Sequence, residues 1–156
     1  VRIPETRYAT TQDDVSIAYQ IVGEGAIDLV VDLGLYGNIE VMWTFEPVAD
    51  VLSTFASFSR LIVHDRRGIG LSGGALSNLE TQATDLLAVL DACRSARPAL
   101  FGSTIGGAAL AMFAAAFPDR VSSFAWFGPL AKTAWAPDYP WGSTPEEERA
   151  FSARAK

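Results

Sequence analysis

Apolar residues recur along this chain with two periods. Val15, Ile17, Tyr19 and Ile21 fall on alternate positions, the period of a strand with one well-covered face. Arg7 to Thr11 is a second extended stretch, and Gln12-Asp13-Asp14 between the two predicts an antiparallel hairpin. Ile27 to Leu33 is mostly apolar and β-branched, as expected of a strand covered on both faces, and Leu61 to Val63 repeats that character before His64-Asp65. Between them, Val48, Val51, Leu52, Phe55 and Phe58 recur at helical spacing. Leu79, Ala83, Leu86, Leu87 and Leu90 make a second helical stripe, with Ser77 or Asn78 as its cap. Ala99 to Gly102 reads as a short strand, Ala108 to Phe117 as an alanine-rich helix stopped by Pro118, and Val121 to Phe127 as the last strand. A hairpin followed by alternating strands and helices predicts the α/β class: a mainly parallel sheet with helices on both faces and an antiparallel N-terminal hairpin. Right-handed crossovers then gather the strand-to-helix loops at the carboxyl ends of the strands, where such folds place their sites.

Composition narrows the functions this frame can serve. The 156 residues are 49% hydrophobic and 19% charged, which supplies one domain-sized core and excludes disorder. Twelve Lys+Arg against eighteen Asp+Glu leave a net charge of −6, the wrong sign for phosphate backbones or anionic lipid. Neither nucleic acid nor a membrane surface is an expected partner. Cys93 has no partner for an internal disulfide, and His64 is a lone histidine, so no metal centre is expected. With no long apolar run and no apolar leader, the cytoplasm is the expected location.

The segment with the most chemical content is Gly102-Ser103-Thr104-Ile105-Gly106-Gly107, between a strand and a helix. In a nucleophile elbow, G-x-S-x-G, a sharp turn lifts one side chain above the sheet, and glycines stand where helix and strands come close. Here Thr104 takes the serine position. The segment is then an elbow with Thr104 as nucleophile, an elbow that has lost its nucleophile, or a tightly packed glycine turn. Ser103 carries a hydroxyl next door, but its side chain is expected to point away from the apex. Gly68-x-Gly70 and Gly73-Gly74 lack the Lys-Ser/Thr of a phosphate loop, and no cofactor is expected. Trp43, Trp135, Tyr139 and Trp141 either line an apolar pocket entrance or pack as ordinary core and lid residues.

Leu33-Gly34-Leu35 closes the first central strand, and His64-Asp65-Arg66-Arg67-Gly68-Ile69-Gly70-Leu71-Ser72 follows the next. With the elbow, this combination resembles the N-terminal portion of the α/β-hydrolase family, whose members often carry D-x-R-G-x-G-x-S at the second place. Asp65, Arg67, Gly68, Gly70 and Ser72 match that spacing. The run Trp135-Ala136-Pro137-Asp138-Tyr139-Pro140-Trp141-Gly142 is similar to the branch of the family joined to class III adenylate cyclase domains in actinobacteria. The resemblance spans Tyr8 to Gly142. It implies that 1–130 form the N-terminal part of a truncated α/β-hydrolase core and that 131–156 begin its cap, where Thr144-Pro145-Glu146-Glu147 announces a helix by a capping box.

The resemblance further implies an oxyanion hole built from the backbone N–H groups of Leu35 and Ile105, with Gly102, Gly106 and Gly107 shaping the elbow. Asp65, Arg67 and Gly68 are expected to be structural, holding loop backbone or pairing. The family's hydrolases draw their acid and histidine from after the elbow, and no histidine follows Thr104. His64 lies on a different strand and is expected to hydrogen-bond among the loops. The implied function is that of a carboxylic-ester hydrolase relative, incomplete and catalytically impaired. Its alternative is a non-catalytic regulatory module that takes a small apolar or ester ligand, and a third reading is a degraded product without function of its own. The last strand is expected to be an apolar open edge, inviting self-association or a C-terminal partner segment.

Overall fold

The structure is a computed structural model that describes residues 2–34, 37–129 and 132–154. Six strands form one sheet: β1 (Arg7–Thr10), β2 (Ser16–Val22), β3 (Asp28–Asp32), β4 (Arg60–His64), β5 (Ala99–Ser103) and β6 (Ser123–Phe127). Their order is β1-β2-β4-β3-β5-β6, with β1/β2 and β2/β4 antiparallel and the remaining pairs parallel. The helices are α1 (Ile39–Met42), α2 (Glu46–Phe58), α3 (Leu79–Ala92), α4 (Gly106–Ala116) and α5 (Pro145–Arg154). None is long and apolar enough to cross a membrane.

Strand alternation distributes the core to the two faces. Ile17, Tyr19, Val30, Ile62 and Leu100 pack with Leu86, Leu90, Leu110 and Phe113 of α3 and α4. Ala18, Leu29, Val31, Leu61 and Val63 pack on the other face with Ile39, Trp43, Ala49 and Leu52 of α1, its C-terminal flank and α2. Trp43, read from its sequence as either a pocket-entrance or a core residue, is a core residue whose indole donates to Gln20 Oε1 at 2.7 Å. Cys93 ends α3 in the core, and burial pushes its thiol up to about 11, which removes the reactive thiolate.

Three elements differ from the sequence reading. The one-turn helix α1 has no apolar period to announce it; the Asn38 side chain caps Glu40 N at 2.8 Å, and the Asp65 carboxylate accepts Ile39 N at 3.0 Å. The second bond comes from 26 positions away. Helix α4 starts at Gly106, two residues before the predicted Ala108, because one left-handed residue completes the turn. Strand β6 starts at Ser123, since a 3-10 turn over Pro118–Arg120 intervenes and Ser122 N is tied to Pro98 O. The capping box forms as read: Glu147 N donates to Thr144 Oγ1 and Thr144 N to Glu147 Oε2.

Arg67 joins three parts of the chain. Its guanidinium forks onto Asp85 of α3, at 2.6 and 3.0 Å, and onto Asp13 in the β1–β2 turn. Asp13 is held well below the usual carboxylate range by that guanidinium and by the Thr11 hydroxyl. Asp85 is buried and Asp13 exposed, so their removal differs in cost. Asp85→Ala leaves the buried guanidinium with only the exposed Asp13 as its carboxylate partner and is expected to lower unfolding free energy by about 3 kcal/mol in urea titration, with Asp13→Ala costing clearly less.

The far side of β6 pairs with no described strand. Its face on the α2 side, Ser123, Ala125 and Phe127, is exposed, with Phe127 at 71%, and the strand holds neither a charge nor a proline to discourage pairing. The 156-residue chain on its own is therefore expected to associate through β6 with a second copy. Sedimentation velocity should show a concentration-dependent dimer that Ala125→Lys returns to monomer; a monomer at high concentration in the unaltered chain would refute this.

Candidate active site

The turn after β5 is built on one strained residue. Thr104 adopts φ 47°, in the left-handed region that a β-branched side chain avoids, and Ile105 returns to φ −67° before α4 begins at Gly106. Such a reversal brings α4 directly over the strand ends. A Cβ on Gly102 would collide with Gly107 Cα, and one on Gly106 would lie 2.5 Å from both the carbonyl and a carboxylate oxygen of Asp32. A Cβ on Gly107 would enter the Trp126 indole. The three glycines are thus required by close approach.

Thr104 projects between two more glycines. Its Oγ1 faces Gly34, 3.0 Å from where a Cβ would stand, and its Cγ2 faces Gly128 at 3.7 Å. The hydroxyl has no hydrogen-bond partner among the described residues. Ser103, beside it, ends the ladder opposite Phe127. Leu35, the other oxyanion position, lies outside the described residues; its neighbour Gly34, at φ 72°, is fixed by its N–H donating to Asp32 Oδ1 at 2.8 Å.

Asp32 and Arg66 are residues the sequence reading missed. Arg66 donates to both oxygens of the buried Asp32 carboxylate at 3.0 Å, so an ion pair braces the ends of adjacent strands beneath the loop at Gly34. An acid ending one central strand and an arginine just past the next were the available signal. Asp65 binds loop backbone, accepting from Ile39 N and from Leu71 N at 2.8 Å, and burial pushes its carboxyl up. It does not pair with Arg67. Gly68, at φ 72°, packs its backbone against Ala75 and Leu76.

His64 is far from the elbow. Ile62, Val30 and Leu100 are in register across β4, β3 and β5, which puts His64 two strand spacings, about 10 Å, to the side of β5. A base must come within about 3 Å of the hydroxyl it deprotonates. The loop hydrogen bonding given as an example of its structural role is not made by Nδ1, which is buried without a partner among the described residues. It borders a cavity of about 10 Å³ shared with Asp32, Met42 and Arg66, room for no more than a single water. The aromatic run after β6 folds on itself: Trp135 N donates to Ser143 O at 2.8 Å, the Tyr139 and Trp141 rings lie 4.8 Å apart, and Trp141 is 73% exposed.

No family model matches the sequence, and no curated protein matches it. Solved structures do. A bromoperoxidase from Bacillus anthracis superposes with a TM-score of 0.73 at 21% identity, over 96% of this chain and 54% of its own. The α/β-hydrolase fold is present. The esterase RhEst1 from a Rhodococcus species matches at 29% identity and TM-score 0.65, over 80% of this chain and 46% of its own. Est816, described as an N-acyl homoserine lactone degrading enzyme, matches at 27% and 0.66, over 79% and 45%. The chain spans about half the length of these structures.

Burial pushes the His64 pKa below its ordinary 6.5, the Asp32 charge opposing this more weakly. The unfolded chain therefore takes up the proton first, and this contribution to stability is complete above pH 6.5 and lost as pH falls through and below it. Urea midpoints are expected to drop between pH 7.5 and 5.5, and His64→Phe should flatten that slope.

Proposed function

We propose that this chain is the elbow-bearing portion of an esterase-like α/β-hydrolase fold that holds the carbonyl or carboxylate of a small ester-like ligand without hydrolysing it. The observation that carries the reading is the elbow itself: a strained Thr104 whose hydroxyl meets no base among the described residues. Threonine nucleophiles elsewhere rely on their own terminal amine, which an internal residue lacks. Backbone donors are indifferent to that loss. The Ile105 N–H, and by resemblance that of Leu35, remain available to an oxygen lying above Thr104. The esterase and lactone-degrading neighbours support carbonyl compounds as the ligand class. Residues 131–156 are read as the start of a cap, and the resemblance of Trp135 to Gly142 to cyclase-linked domains favours a regulatory use of binding.

Short p-nitrophenyl esters test the catalytic half. Turnover by the purified chain is expected to stay at the buffer rate, and Thr104→Ser should not raise it, since serine too needs a base. Rapid hydrolysis abolished by Thr104→Ala would overturn the reading. The binding half is tested by thermal shift against short-chain esters, lactones and carboxylates. A true ligand at one hundred times its Kd stabilises by about 2.7 kcal/mol, so a screen without any shift in Tm would count against binding.

A further inference from the structure

Thr104 is held at both its backbone N–H and its carbonyl by β6. Thr104 N donates to Phe127 O at 2.9 Å, and Thr104 O accepts from Trp126 Nε1 at 2.7 Å. The same carbonyl accepts Gly107 N only at 3.3 Å, so the indole makes the shorter of its two bonds. The indole lies against Gly107, where any Cβ would displace it. Phe124 flanks it at a ring separation of 6.0 Å. In a trans peptide the carbonyl and the following N–H point in opposite directions across one rigid plane. An indole that fixes the Thr104 carbonyl toward β6 therefore fixes the Ile105 N–H away from it. That N–H has no acceptor among the described residues.

We propose that Trp126 is a positioning residue which, through its bond to the Thr104 carbonyl, aims the Ile105 N–H at the ligand oxygen above the elbow. The proposal rests on the carbonyl-binding reading of the elbow and adds to it a residue on β6 that touches neither ligand nor hydroxyl. It gives a reason for an indole on an open edge strand: the packing could be met by leucine or phenylalanine, but the N–H donor could not. A free peptide at a positive-φ residue can rotate; a donor that must meet an oxyanion gains from being held beforehand.

The test follows the Ile105 amide by NMR while phenylphosphonate, an anion with the geometry of a tetrahedral oxyanion, is titrated into the chain, with methyl benzoate as the neutral comparison. In the unaltered chain the Ile105 amide is expected to shift saturably downfield. Trp126→Phe keeps a ring against Gly107 and removes only the donor; phosphonate affinity should fall about five-fold, the loss of one hydrogen bond's net worth, while methyl benzoate affinity stays within two-fold. Equal losses for both ligands, or none, would overturn the positioning role. An Ile105 amide silent toward phosphonate in the unaltered chain would overturn the donor reading itself and the proposal with it, even with the indole bond intact. If Trp126→Phe does not fold, indole hydrogen exchange in the unaltered chain decides: the Trp126 N–H should exchange more than ten-fold slower than that of exposed Trp141, and equal rates would refute the bond.

Discussion

A reversal of the chain within two residues, at the end of a strand inside a sheet, leaves no room for side chains around it. That constraint organises this molecule. Thr104 takes the left-handed conformation, and the start of α4 is thereby driven against the ends of β3, β5 and β6. Each contact it makes falls on a glycine or on backbone: Gly102 against Gly107, Gly106 against Asp32, Gly107 against Trp126. The strain of order 1–3 kcal/mol at one non-glycine residue persists because those neighbours leave it no alternative.

The surroundings of the turn are braced by polar bonds placed where strands end. Asp32 at the end of β3 ties Gly34 on one side and Arg66 on the other, so the glycine facing Thr104 is fixed by a paired carboxylate. Asp65 does the same for α1 and for the loop at Leu71. Arg67 fastens that loop to α3 and to the hairpin turn. The motif Asp65-Arg66-Arg67-Gly68 thus works as scaffolding: each charged residue in it has partners in other elements.

This separation makes the geometry of the elbow independent of the side chain at its apex. Geometry here is secured by glycines, a positive-φ residue and backbone hydrogen bonds to β6, and none of these depends on a serine hydroxyl or a histidine. What they secure is a rigid turn with a helix N-terminus behind it. Under the proposed function, such a turn accepts an oxygen through its backbone donors.

The order of strands and helices, the hairpin alternation, the elbow at Thr104 and the cap of α5 were all legible in the sequence, because each is set by local periodicity, proline and glycine. The lone histidine and the threonine at the serine position were equally legible as departures from the family's usual pattern. What pattern could not convey is partnership between distant residues. That Trp43 bonds Gln20, that α1 exists, that Arg67 bridges Asp13 and Asp85 and that His64 Nδ1 is buried unpaired among the described residues all depend on positions brought together by the sheet. Trp126 is the clearest case. Its sequence neighbours make it an ordinary apolar strand residue, and only the parallel register of β5 with β6 sets its indole on the Thr104 carbonyl, since hydrogen-bond direction is fixed by where two strands lie.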